Sequence, residues 1–405
     1  MPSLRVALFT DSFDEANGVA TFCQQFAAFA QRQEIPLLCV RPGSRTRATY
    51  DPSLTTLELK RSLAAFPIDY DFRCDPLLSR YKNWVTDQLR LFRADVVHIT
   101  GPGDFGILGF WAAHSLGIPL VASWHTNLHE YAGRRLDKLF SRLPTAWRER
   151  IVRTGEDLSL DALMRFYRLP RFTLAPNESM MQLLRDGTHR PAYFLPHGVD
   201  TNFFSPTRRN RQDDSFRIGY VGRFTPEKSV RLFVELEQRL RAAGQQDFEL
   251  VLIGEGSEKV WLKNNLQSAE LPGILRGEVL ANAFANMDMF VFPSQTDTFG
   301  LVLLEAMASG VPVAVSPEAA VRVGVQHGVA GFVARDIDGF AESVLRLMES
   351  DALRQDMSCA ARQFACSKDW SGVFQQVYRT YELGLEECGY RVGYGFTSLG
   401  PSSRP

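Results

Sequence analysis

The feature that most limits what this chain can fold into is an alternation of short apolar runs with longer amphipathic stretches. It runs from the N-terminus, pauses between Pro196 and Asp214, and then starts again. A short, wholly apolar run is buried on both faces, and an amphipathic stretch between two such runs supplies a helix to cover them. Repeating that unit gives a parallel sheet with helices on both sides. Before the pause the pattern predicts strands at Val6–Phe9, Leu37–Val40, Val96–Ile99, Leu120–Ser123, Thr173–Ala175 and Tyr193–Leu195. It predicts helices over Val19–Gln33, where Phe22, Phe26, Phe29 and Ala30 share a face, over Asp104–Ser115, and over Glu178–Arg185 with Asn177 as N-cap.

After the pause, strands are expected at Arg217–Val221, Glu249–Ile253, Met289–Phe292 and Pro312–Val315, with helices over Pro226–Ala243, Lys259–Ser268 and Leu301–Ser309. The pattern from Gly339 to about Cys388 is mainly helical. The expected fold class is α/β, with two doubly wound, Rossmann-like domains facing a cleft, and 405 residues suffice for two such cores. We expect a first domain at 1–195, an exposed connection at 196–214, a second domain at 215–368, a helix at 369–390 and a tail at 391–405.

Charge and cysteine usage exclude several classes. The 45 basic and 46 acidic side chains give a net charge of -1, so there is no protein-wide field for a polyanion and no nucleic-acid partner is expected. The six cysteines form no Cys-x-x-Cys pair and show no metal-ligand spacing, which fits a reducing compartment. The opening residues lack the apolar run of a secretory signal, and no run approaches the length of a membrane span. The expected location is the cytoplasm.

Ligands of open parallel sheets bind beyond the carboxyl ends of the strands, so the loops there carry the candidate residues. The first loop places Asn17 and Gly18 ahead of a helix, where free N–H groups favour an anion; an ordinary N-cap accounts for the same two residues. The run Tyr220-Val-Gly-Arg-Phe-Thr-Pro-Glu-Lys sets Arg223 and Lys228 around the expected start of a helix at Pro226. Cations are disfavoured there unless an anion compensates them, and a diphosphate has the right size; two solvated surface charges are the alternative. The run from Phe292 to Val313 carries Asp297 and Glu305 around a helix expected to begin near Phe299 with Thr298 as N-cap. Two turns of helix would separate the carboxylates by about 10 Å, though a capping acid and an ordinary helix residue fit the spacing equally. Finally, Ser123-Trp-His-Thr-Asn lifts His125 beyond a strand end, where it is either functional or a hydrogen-bonded core histidine.

The Phe-Gly-Leu, Leu-Glu-Ala-Met-Ala-Ser-Gly and Pro-Val blocks between Phe299 and Val313, and an acidic residue separated by seven residues from a Glu (Asp297 and Glu305), are motifs of a known family. Over about residues 4 to 385 the chain resembles the retaining glycosyltransferases of GT-B fold, family 4. It departs from the family pattern in having Asp297 where Glu is commoner, and Asn17-Gly18 where the fuller form is Gly-Gly. The resemblance implies that Glu305 binds the ribose hydroxyls of a nucleotide sugar, while Asp297 and the backbone N–H groups of Phe299, Gly300 and Leu301 contact sugar and phosphate. It implies that Arg223 and Lys228 clamp the diphosphate, that the backbone of Gly18 touches it, that Gly254 lies near the nucleoside and that Arg276 to Val279 meets the base. His125 would contact the donor sugar and stabilise the charge that develops as the glycosidic bond breaks. His98, His129 and His197 receive no chemical role, His197 belonging to the interdomain junction. The helix from Asp369 to Cys388 is expected to pack on the first domain.

The resulting expectation is an enzyme that moves a hexose, mannose from GDP-mannose, to the hydroxyl of a lipid or carbohydrate acceptor with retention of configuration, and that needs no metal or other cofactor. A UDP-sugar-dependent glycolipid glycosyltransferase and a non-catalytic nucleotide-sugar-binding protein are the alternatives. A dinucleotide dehydrogenase is excluded by the missing glycine fingerprint with its downstream acid. Residues Arg134 to Arg153 hold seven basic and two acidic side chains, with Leu136, Leu139, Phe140 and Leu143 at helical spacing. That segment is expected to make a peripheral contact with an anionic membrane on its cytoplasmic face. A helix packed on its own domain with a solvated basic face accounts for the same residues.

Overall fold

The computed structural model describes residues 4–15, 17–67, 73–125, 145–297 and 299–390. They form two α/β units, the first made of residues up to 196 together with those from 374 onward, the second of residues 197–373.

The first unit is built on β1 (Val6–Phe9), β2 (Leu37–Gly43), β3 (Arg47–Tyr50), β4 (Leu54–Lys60), β7 (Val96–Ile99), β8 (Leu120–Ser123), β9 (Phe172–Ala175) and β10 (Ala192–Phe194), while β5 (Phe66–Pro67) and β6 (Arg73–Cys74) pair only with each other. The sheet order is β10-β9-β8-β7-β1-β2-β4-β3. All pairings in it are parallel except that of β3 with β4. Every residue of β1, β7, β8 and β9 is buried, as a strand covered on both faces requires. Val6 pairs with Leu37 on one side and Val96 on the other. The strand order therefore reverses beside β1, and the crevice at such a reversal is where doubly wound sheets bind ligands. Helix Gly18–Arg32 buries Phe22, Phe26 and Phe29 against the C-terminal helix Trp370–Glu387, with Phe26 stacked on Phe374 at 4.8 Å between ring centroids.

The second unit is a sheet of β11 (Phe216–Val221), β12 (Phe248–Ile253), β13 (Ala269–Gly273), β14 (Met289–Phe292), β15 (Val313–Val315) and β16 (Gly331–Val333), ordered β13-β12-β11-β14-β15-β16. All its pairings are parallel. The order reverses between β11 and β14, and the loops that follow these two strands carry most of the candidate residues. Its own core includes Phe224, Phe233, Leu250, Phe290, Leu304 and Val313.

The structure departs from the sequence expectation in three places. Residues 197–214, expected as an exposed connection, are part of the second unit. Phe204 is buried in its core, Arg209 and Arg211 reach the Asp288 carboxylate at 2.7 and 2.6 Å, and Arg362 donates to the carbonyls of Thr201 and Phe204. Within the run, Arg209 and Arg211 are paired to Asp288, while Arg209, Asn210, Gln212, Asp213 and Asp214 remain exposed. The helix expected from Pro226 is a single 3-10 turn, Pro226–Lys228, and the α-helix begins only at Leu232. Ser229, at φ 54°, breaks the path between them. The helix after β14 begins at Leu301, with Gly300 as N-cap in the left-handed region at φ 92°, and Thr298, expected in that position, lies outside the described residues.

Candidate active site

In the second unit the site is assembled from the loops after β11, β12 and β14. The β11 loop, Gly222 to Lys228, is fastened to the β12 loop by backbone hydrogen bonds from Gly222 N–H to the Ile253 carbonyl (3.0 Å) and from Phe224 N–H to the Glu255 carbonyl (2.9 Å). This approach is possible because Gly254 has no side chain. At φ 148° a Cβ there would stand 1.9 Å from the Gly222 carbonyl oxygen. Gly254 thus has a packing task that holds the Arg223 loop in place. Arg223 is half-buried, and its carbonyl accepts from the Tyr220 hydroxyl at 3.1 Å.

Lys228 and Asp297 meet where the β11 and β14 loops adjoin, with Nζ 2.5 Å from Oδ1 and both side chains largely buried. The Thr296 hydroxyl ties the same loops together by donating to the Glu227 carbonyl at 3.3 Å. This pairing corrects the electrostatic argument drawn from the sequence. The Lys228 charge does not stand at an α-helix N-terminus waiting for an anion, because Asp297 already compensates it. Among the described residues Asp297 Oδ2, Thr225 Oγ1 and Ser294 Oγ are buried without a hydrogen-bond partner, and buried polar atoms left unpaired on two adjoining loops call for an explanation such as a ligand.

Glu305 lies on helix Leu301–Ala308 and Asp297 on the loop before it, so helical spacing does not relate the two carboxylates. The Glu305 side chain is half-buried and has no hydrogen bond or ion pair among the described residues. Burial pushes its carboxyl up to about 7. Phe299 is buried and stacks on the His197 ring at 4.4 Å. That contact braces the turn carrying Phe299, Gly300 and Leu301, so His197, given no chemical role from the sequence, supports the start of the helix. Leu303 N–H donates to the Gly300 carbonyl at 2.9 Å, and the N–H groups that open a helix are of the kind that favours an anion. Arg276 and Val279 are exposed at the N-terminus of helix Gly277–Ala285.

In the first unit Asn17 is the N-cap of helix Gly18–Arg32, its Oδ1 accepting from Ala20 N–H at 2.9 Å, and Gly18 is exposed at the first helical position. The N-cap reading is therefore correct, and it leaves the Gly18 backbone accessible. His125 follows β8. Its Nε2 is 2.7 Å from Ser123 Oγ, and its ring packs on Phe22 at 5.2 Å. Sequence reasoning missed Asp11, buried at the end of β1, where burial and the neighbouring Asp104 carboxylate hold its pKa well above the usual range. Asp11 Oδ1 accepts from Phe105 N–H at 3.0 Å. Nothing in the local sequence marks it, since Asp104 comes from the start of a helix, Asp104–Leu116, distant in sequence. Most of the basic segment 134–153 lies outside the described residues, as does His129. Among the described residues no helix is long and apolar enough to cross a membrane.

Comparison with known proteins gives these two surfaces a common context. A family model described as Glycosyltransferase Family 4 matches residues 16–203, and one described as Glycosyl transferases group 1 matches residues 215–350. A GDP-mannose-dependent alpha-mannosyltransferase of Mycolicibacterium smegmatis is 32% identical over 75% of this chain and 77% of its own length. A phosphatidyl-myo-inositol mannosyltransferase of the same organism is 27% identical over 81% of each chain. The solved structure of sucrose-phosphate synthase from Thermosynechococcus elongatus superposes with a TM-score of 0.69 at 17% identity, covering 95% of this chain and all of that one; at that identity the likeness is one of fold.

Proposed function

The chain is a GT-B glycosyltransferase of family 4, and from that premise we propose that it transfers mannose from GDP-mannose to an acceptor hydroxyl with retention, the acceptor being a lipid or glycolipid head group. The observation that carries the reading is the Lys228–Asp297 pair set beside buried polar atoms of Thr225, Ser294 and Asp297 that, like Glu305 on the following helix, have no partner among the described residues. The naming of its relatives as GDP-mannose-dependent and lipid-directed mannosyltransferases supports the choice of sugar and acceptor.

In this reading Glu305 accepts hydrogen bonds from the ribose hydroxyls. Arg223, Lys228, the backbone of Gly18 and the N–H groups of Phe299, Gly300 and Leu301 meet the diphosphate, and Gly254 lies beside the nucleoside. Arriving phosphate oxygens draw Lys228 away from Asp297, whose carboxylate then turns to the sugar hydroxyls. His125 contacts the sugar as positive charge develops at its anomeric carbon. The bond from that carbon to the phosphate oxygen breaks, the bond to the acceptor oxygen forms on the same face, and the departing phosphate oxygen takes the acceptor proton. No protein nucleophile is used. Fixed cations and backbone dipoles stabilise the leaving diphosphate in place of a metal ion. The membrane segment 134–153 brings the enzyme to a lipid acceptor.

A panel of GDP- and UDP-linked sugars with lipid extracts tests the reading. We expect turnover with GDP-mannose, an α-linked product, and activity that survives EDTA. Turnover confined to UDP-sugars would move the donor assignment to the rival branch, and tight donor binding with no transfer to any acceptor would remove it.

A further inference from the structure

Four side chains of the first unit form one unbroken hydrogen-bonded chain. The Tyr381 hydroxyl is 2.7 Å from His98 Nδ1, His98 Nε2 is 2.8 Å from Ser123 Oγ, and Ser123 Oγ is 2.7 Å from His125 Nε2. His98 lies on β7, Ser123 ends the adjacent β8, and Tyr381 comes from the C-terminal helix. Tyr381, His98 and Ser123 are completely buried.

The proton order in this chain is set from its buried end. Among the described residues the Tyr381 hydroxyl has one hydrogen-bond partner, His98 Nδ1, so it must donate there or leave a buried O–H unsatisfied. His98 Nδ1 is then an acceptor, and the ring carries its proton on Nε2, which donates to Ser123 Oγ. Among the described residues Ser123 Oγ has two partners, His98 Nε2, which donates to it, and His125 Nε2, so its own buried O–H finds an acceptor only by donating onward to His125 Nε2. We infer that Tyr381, acting through His98 and Ser123, dictates which nitrogen of His125 bears the proton, holding it as the neutral Nδ1–H tautomer with Nε2 engaged as acceptor.

Two features keep the order from reversing. Burial lowers the His98 pKa to about 3, so that ring stays neutral across the working range. Burial likewise raises the Tyr381 hydroxyl, which stays protonated. With a proton on His125 Nε2, Ser123 Oγ would either accept from both rings and leave its own buried O–H without an acceptor, or turn that O–H to His98, force His98 to the other tautomer and leave the Tyr381 O–H facing no acceptor. His125 is thereby presented as a neutral N–H donor of fixed orientation and not as an imidazolium. Tyr381 and His98 are positioning residues, and their effect on turnover rests on the role proposed for His125; their effect on its tautomer does not.

The test uses full-length protein carrying 15N-labelled histidine, with long-range 1H–15N correlation spectra reporting the protonated nitrogen of each ring and a His125→Gln spectrum assigning the signal. Wild type should show His125 protonated on Nδ1. Tyr381→Phe, which removes only the hydroxyl, should shift it toward the Nε2–H form and lower kcat for GDP-mannose about tenfold, leaving KM and GDP affinity unchanged. Tyr378→Phe, in the same helix with a buried hydroxyl that has no partner among the described residues, should change neither. If Tyr381→Phe fails to fold, Ser123→Ala breaks the last link and should release the tautomer in the same way. A wild-type His125 protonated on Nε2, or a tautomer unmoved in these variants, overturns the relay whatever the activity. A tautomer that moves while kcat does not overturns the positioning role, and a His125→Ala enzyme of full activity would then show that the role given to His125 had failed first.

Discussion

Glu305 is half-buried with no hydrogen bond or ion pair among the described residues, and burial there disfavours its charged form. Its carboxyl would ordinarily titrate near 4.5, and burial raises it to about 7. Between those values the folded state keeps a proton that the unfolded chain has released. The group's contribution to stability is therefore full below pH 4.5, declines as pH rises through 7, and is lost above it. Glu305→Gln, neutral throughout, should melt at a higher temperature than wild type at pH 8 and at the same temperature at pH 4. The same substitution should weaken donor binding about ten- to a hundredfold, the loss of a charged hydrogen bond, as titration calorimetry would show; unchanged affinity would remove the ribose assignment. Asp297→Ala should depress kcat more than donor affinity, because its carboxylate reaches the reacting sugar only after Lys228 is drawn off. Arg223→Ala and Lys228→Ala should each lower kcat, and Lys228→Ala should also leave the Asp297 carboxylate unpaired in a largely buried position. Steady-state kinetics on the three variants separates these outcomes.

At the scale of elements, the loops after β11 and β12 act as one piece because Gly254 lets their backbones touch. Gly254→Ala would drive a methyl into the Gly222 carbonyl and force an unfavourable φ, so it should destabilise the protein by more than about 2 kcal/mol and lower activity through a displaced Arg223. A variant that keeps wild-type melting and kinetics would show that the loop yields. The elements legible in the sequence were those whose environment is uniform. Strands β1 and β14 are apolar throughout, and β7 and β8 are apolar but for His98 and Ser123, because both faces are buried. Strands β3 and β4 were not legible, since the outermost strand is mostly exposed and β4 mixes buried leucines with half-buried threonines, a buried Glu58 and an exposed Lys60. Strand β13 contains a proline and alternates in burial, and no apolar run announces it. Asp297, Lys228 and Glu305 could be found because each sits in a compact motif beside a strand end. Their pairing could not, because Lys228 and Asp297 are brought together only by the adjacency of β11 and β14. Tyr381 and His98 are separated by most of the chain, and no local pattern links them.

Across the whole molecule, the helix Trp370–Glu387 begins in the second unit and from Phe374 onward belongs to the first. Phe374, fully buried, contacts Phe22, Phe26 and Phe29, so Phe374→Ala should cost the first unit about 3 to 5 kcal/mol while leaving the core of the second intact. Calorimetry should resolve an early transition assigned to the first unit, and a single unshifted melt would refute that. A chain ending at residue 369 should go further, losing the Tyr381 hydroxyl and the aromatic stack together. The same interleaving has a consequence for biosynthesis. As the polypeptide leaves the ribosome, residues 4–196 emerge with one side of their core still open, and the segment that closes it is delayed by the whole of 197–373. At translation speeds of about 5 to 20 residues per second that wait lasts on the order of 10 to 40 s. During that interval Phe22, Phe26 and Phe29 stay uncovered on the nascent chain. The second domain, contiguous in sequence, can finish first, and a chaperone that shields aromatic surface has its longest opportunity on the half that was made earliest.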